Sequence, residues 1–168
     1  LRVLSLSRLA PEKGLDVLID AFALLQQQVP GASLEIAGEG ELLPQLQQQI
    51  KKLGLEESVS FPGFVDSLAA MGRSDVLVQL SVWENCSYTL LDAKAAGLKT
   101  VATAVGGNPE ILGADELVDR QSATLTQDVL QAMRAQLLKG ESEPFTWISN
   151  EQMAAQTTEI YARTLEKK

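Results

Sequence analysis

RVLSLSRLAPEKGLDVLIDAFALLQQQ, residues 2–28, is the stretch whose reading decides the fold. Residues 2–7 read as a short strand, Pro11 marks a turn, and residues 14–28 carry apolar side chains at helical spacing. The chain therefore opens on a strand, a loop and a helix, and the unit returns. ASLEIAG (32–38) is strand-like, ELLPQLQQQIKKLG (41–54) is helix-like with Gly54 as its stop, and SVSFPG (58–63) is a further strand. A short helix near 65–72, the strand DVLVQL (75–80), the helix YTLLDAKAAG (88–97) and the strand KTVATA (99–104) continue the alternation. NPEILGA supplies one helical turn, DELVD (115–119) a last edge strand, and 122–139 a helix; a loop with Pro144 leads to a final helix from about 150 to 166. Strands alternating with helices imply parallel βαβ units, so the expected class is α/β, a parallel sheet flanked by helices.

At 168 residues the chain is long enough for one domain with a real core and too short for two ordinary ones. The expected organisation is one domain over 1–168, in which KGESEP (139–144) sets apart a helical extension over about 145–168. Hydrophobic residues are 45% and charged residues 21% of the chain, which is ordinary globular usage and excludes the disordered and fibrous classes. With 22 acidic against 14 basic side chains, the net charge of −8 offers no footprint for nucleic acid or an anionic lipid surface. Any anionic ligand must be held locally. The single cysteine, Cys86, excludes an internal disulfide and a multi-cysteine metal cluster, and cytoplasm is the expected compartment. No apolar run approaches the roughly 18 to 20 residues needed to span a bilayer, so no transmembrane segment is expected. The chain begins at Leu1, already inside a strand-like run, and is expected to be a piece of a longer polypeptide.

In an open parallel sheet, ligands bind outside the carboxyl ends of the strands, where loops run into helix N-termini. The first such loop holds Arg8 and Lys13 just before a helix that begins near Gly14. Two cations beside a helix N-terminus fit an anion site; equally, they fit solvated loop charges that pair with Glu12 or Asp16. AGEGELL (37–43) contains G-x-G, but after the second strand, with Leu43 where a dinucleotide fingerprint needs its third glycine. No P-loop sequence occurs. Standard dinucleotide and P-loop sites are therefore disfavoured.

WENCSYTLLD (83–92) sets Glu84 and Asp92 eight positions apart. On one uninterrupted helix they would not meet, being about 80° apart in projection and two turns apart. If Glu84 lies in a loop and the helix starts near Ser87 or Tyr88, both carboxylates border one cleft, onto which the N–H groups of 85 to 88 also open. Three readings follow from the residues alone. Carboxylates suit paired sugar hydroxyls; they also suit the acid and nucleophile or base of glycoside hydrolysis; or Asp92 is a helix-surface charge near Lys94 and Glu84 a loop charge. Cys86 lacks any histidine to activate it and reads as a small, partly buried loop residue. AVGGNPEI (104–111) puts Gly106 and Gly107 where backbone can approach a ligand, and Pro109 in a first helical turn.

Taken in order, SRLAPEKG, AGEGE, VSFPGFV and WENCSYTLLDAKAAGLKTVATAVGGNPEI resemble the C-terminal, donor-binding domain of the GT-B glycosyltransferases of the group 1 type (family 4). The likeness is strong over roughly 1–113 and looser over the tail, with FTW (145–147) before a last helix containing Tyr161. It implies a Rossmann-like domain, one half of a GT-B enzyme, that binds a nucleotide-diphosphate sugar and works with no metal and no cofactor. Arg8 and Lys13 match the pair that holds the diphosphate, where they would serve catalysis electrostatically. Glu84 matches the acid near the donor sugar, and Asp92 the acid that binds the ribose hydroxyls. Asn85, Cys86, Ser87 and Tyr88 match the segment along sugar and phosphate, and Gly63, Phe64 and Val65 the segment beside the nucleobase; Gly38 and Gly107, in the loops that would wall the cleft, are further candidate substrate-binding residues.

The resemblance further implies retaining sugar transfer to a glycan or lipid-linked glycan in polysaccharide or glycoconjugate synthesis at the cell envelope. The acceptor would be held by an N-terminal domain that this chain lacks, and the full-length protein would be cytoplasmic and peripheral to the inner membrane face. The isolated chain is then expected to bind nucleotide and to transfer nothing. A ligand-free αβ binding or regulatory module on the same fold is the alternative, favoured by two departures: Asp92 stands where the family has Glu, and Lys99 where it often has proline.

Overall fold

The structure, a computed structural model, describes residues 1–140 and 145–165, so Pro144 of the expected connecting loop lies outside the described residues, as does position 166 of the last helix. Six strands form one sheet: β1 (Arg2–Leu6), β2 (Ser33–Ala37), β3 (Val59–Ser60), β4 (Val76–Gln79), β5 (Lys99–Thr103) and β6 (Leu117–Val118). Every pairing is parallel and the order is β3-β2-β1-β4-β5-β6. This is the doubly wound, Rossmann-like order, with its topological switch between β1 and β4. The helices are α1 (Leu15–Gln28), α2 (Leu43–Leu53), α3 (Ser67–Gly72), α4 (Tyr88–Ala95), α5 (Asn108–Ile111), α6 (Leu125–Leu138) and α7 (Asn150–Leu165).

Alternate strand residues face opposite sides of a sheet, and both sides here are apolar. Val3, Val76, Val78 and Val101 join a core with Leu18 and Phe22 of α1, Leu46 of α2 and Met133 of α6. Their neighbours in the chain, Leu4, Leu77 and Ala102, join a second core with Met71 of α3, Leu90 of α4 and Ile111 of α5. Three helices thus cover each face. The strands carry apolar residues on both faces for this reason, and Ser5, Thr100 and Thr103 are buried among them.

The edge strands are shorter than the sequence predicts: two residues each for β3 and β6, against the expected 58–63 and 115–119. Residues Ala114–Glu116 form a single 3-10 turn instead. The Glu116 carboxylate is buried there, accepting from Lys94 Nζ at 2.9 and 3.1 Å, Thr100 Oγ1 at 2.5 Å and the Gly113 N–H at 3.0 Å. Lys99 also finds a structural task, donating to the Lys139 carbonyl at 2.6 Å and tying the start of β5 to the end of α6. Helix α7 is exposed along its whole length. No helix of the described residues is long and apolar enough to cross a membrane.

Candidate functional site

The loops after β1 and β4 flank the switch point, and each delivers one charge to the same place. After β1 the chain makes a 3-10 turn over Pro11–Lys13, and after β4 it runs through 80–87 to the start of α4. The Val82 N–H donates to the Glu12 carbonyl at 2.7 Å, which clamps the two loops together. Lys13 Nζ then sits 2.6 Å from Glu84 Oε1, with only 18% and 15% of the two side chains exposed. Ser81 Oγ donates to the same carboxylate oxygen at 2.7 Å and lies 3.4 Å from Lys13 Nζ. Ser81 is fully buried, and its own carbonyl accepts from Thr103 Oγ1 at 2.6 Å. A serine two residues past the end of β4 at the switch point was the available signal for this third member, which residue patterns alone did not single out.

Glu84 is held from its other side by the β5 loop. Gly107 N–H donates to the Asn85 carbonyl at 3.0 Å, and Gly106 adopts φ 53° with its Cα so close to the Glu84 carbonyl that a Cβ would come within 1.6 Å of that oxygen. Glycine is required at 106 by contact and by conformation together.

Arg8 is placed differently. Its guanidinium is 71% exposed and meets Glu12 at 2.5 Å, so the expectation of a loop ion pair holds for Arg8 and not for Lys13. Arg8 lines a cleft of about 250 Å³ with Ser7, Gly38, Glu39, Phe64 and Val65. Main-chain bonds from Ser7 N to Ala37 O, Leu9 N to Glu39 O and Gly38 N to Gly63 O, at 2.8 to 3.1 Å, bring the loops after β1, β2 and β3 together as its walls. Gly38, at φ 138°, passes so near the Ser7 carbonyl that a Cβ would lie 1.9 Å from it. The Phe64 ring is 80% exposed at the cleft mouth and presents a free face for stacking.

The segment 85–88 divides between structure and surface. Ser87 is the N-cap of α4: its Oγ accepts from the Leu90 N–H at 3.2 Å and donates to Gln79 Oε1 at 2.8 Å, pinning the helix to the end of β4. Ser87→Ala should therefore cost about 1 kcal/mol of unfolding free energy; urea denaturation that finds no loss would exclude the cap. Asn85, Cys86 and Tyr88 are exposed. The expectation of a partly buried Cys86 is corrected, because Ser87 takes the inward position and leaves the thiol in solvent. The backbone N–H groups of 85, 86 and 87 donate to no other described residue.

Asp92 falls in the second turn of α4, as the loop-then-helix reading requires, and is exposed with no ion pair or hydrogen bond to a described side chain. The expected neighbour Lys94 is turned away to Glu116. No hydrogen bond joins Asp92 to Glu84. Among the described residues no cluster of acidic or cysteine side chains is arranged to hold a metal ion.

Residues 1–157 match the family described as glycosyl transferases group 1. Mannosylfructose-phosphate synthase of Agrobacterium fabrum is 40% identical over 116 residues, which are 62% of this chain and 26% of the synthase. The C-terminal domain of the glycosyl transferase group 1 family protein LpcC from Francisella tularensis has a TM-score of 0.70 at 25% identity, over 82% of this chain and 76% of that one. HepE of Anabaena, solved in complex with UDP-glucose, has a TM-score of 0.66 at 26% identity, over 80% of this chain and 43% of that one. The chain spans about a quarter of the length of the synthase.

Proposed function

Since the chain belongs to the group 1 glycosyltransferases, we propose that it is the donor-binding half of a retaining enzyme that moves a sugar from a nucleotide-diphosphate sugar to a glycan or lipid-linked acceptor. The observation that carries this reading is the meeting of Lys13 and Glu84 at the switch point, between the loops after β1 and β4. A sugar diphosphate laid across those loops puts its charge against Lys13 and Arg8 and the N-terminus of α1, and its sugar hydroxyls against Glu84. The base then enters the cleft beside Gly63, Phe64 and Val65, and the ribose reaches the exposed Asp92. The chain's own cations stabilise the leaving diphosphate, so the reading assigns no metal and no cofactor. The acceptor site belongs to a preceding domain, and the proposed setting is glycoconjugate or polysaccharide synthesis in the cytoplasm.

Similarity to a C-terminal domain solved by itself, and to a structure holding UDP-glucose, supports the assignment. A thermal-shift series with UDP, GDP, ADP and their sugars tests it. Ligand at about ten times its dissociation constant adds roughly 1.4 kcal/mol, a few degrees for a domain of this size. A shift with one base and not the others is the expected result. No shift with any, and no perturbation of amide signals at millimolar ligand, would leave the ligand-free module as the better reading.

A further inference from the structure

Resting on that donor-binding reading, we propose that Glu84 is a specificity-determining residue that sets the sugar-bearing nucleotide above the bare nucleoside diphosphate by competing with phosphate for Lys13. Glu84 Oε1 takes both available donors, Lys13 Nζ at 2.6 Å and Ser81 Oγ at 2.7 Å, whereas Oε2 has no donor among the described residues. Both charged side chains are largely shielded from water, so neither is indifferent to losing its partner. Ser81 cannot follow Lys13 elsewhere, because the residue is buried and its carbonyl is fixed by Thr103. The Glu84 main chain cannot retreat either, with Gly106 packed against its carbonyl.

A bare diphosphate arriving at Lys13 must share the ammonium with a carboxylate in contact with it, or draw it away and leave Glu84 with one hydroxyl. Like charges are brought close in either case, which opposes binding. A ligand that also carries a sugar offers O–H donors to the unused Oε2 and replaces what Glu84 gives up. The same competition favours release of the bare diphosphate once the sugar has left.

Calorimetric titration of the wild-type chain, Glu84→Gln and Lys13→Ala/Glu84→Gln with UDP, UDP-glucose, GDP, GDP-mannose and inorganic pyrophosphate tests the inference. Glu84→Gln should bind pyrophosphate and the preferred bare nucleoside diphosphate about tenfold tighter, about 1.4 kcal/mol, and lose most of the preference for the sugar form. Most of that gain should vanish in the double variant. Ser81→Ala, which leaves the carboxylate more dependent on Lys13, should move the bare diphosphate the opposite way. An unchanged preference in Glu84→Gln, or equal weakening of bare and sugar-bearing ligands, overturns the inference and leaves the donor site standing. Failure of wild type and Glu84→Gln alike to bind any of the five overturns both.

Discussion

Gly106→Ala should lower the unfolding free energy by about 3 kcal/mol and remove diphosphate binding, although residue 106 touches no ligand in the proposed arrangement. Two costs add. At φ 53° an alanine meets the left-handed penalty of roughly 1–2 kcal/mol, and its Cβ would stand 1.6 Å from the Glu84 carbonyl oxygen. No side-chain rotation relieves a clash with backbone, so the loop after β4 must move. That loop carries Ser81 and Glu84, and with them the pairing that positions Lys13. Gly54→Ala is the matched comparison: φ there is 69°, and no atom lies within 4 Å of the added carbon. The comparison variant should pay only the conformational penalty and keep its binding. Equal stability losses in the two variants, read by urea denaturation, would refute the contact argument.

The strands and helices were legible in the sequence because the fold uses short strands with apolar residues on both faces, each followed by a helix. Where that logic weakens, at β3 and β6, the strands shrink to two residues. At β6 the cause is specific: Glu116 turns inward to Lys94, Thr100 and Gly113, and no strand propensity encodes a pairing 22 positions away. The site divides in the same manner. Loop positions of Lys13 and Glu84 follow from element boundaries, but their ion pair spans 71 residues and exists only because β1 and β4 are neighbours. The only local signature of Ser81 is its place just past a strand; its importance is a product of sheet order. Arg8 and Asp92 were recognisable as charges, and the fold leaves both accessible instead of bringing them to the pair.

Lys13→Ala should weaken a bound nucleoside diphosphate about 100-fold and the parent nucleoside hardly at all. The variant loses one charge-assisted contact, worth about 1.5–3 kcal/mol. It also leaves the Glu84 carboxylate, 15% exposed, with Ser81 as its remaining donor, facing the place where the diphosphate would lie. Removing one member of such a pair typically costs 2–5 kcal/mol at a binding surface, much of it from the charge left behind. About 2.7 kcal/mol, the equivalent of 100-fold, is therefore a conservative expectation. Arg8→Ala should cost less, about three- to tenfold, because the guanidinium is 71% exposed and already shared with Glu12. Titrations with the nucleoside and its diphosphate read the two effects separately. Equal losses for both ligands would show that Lys13 shapes the loop without meeting phosphate, and a larger loss in Arg8→Ala would transfer the phosphate contact to the cleft beside Phe64.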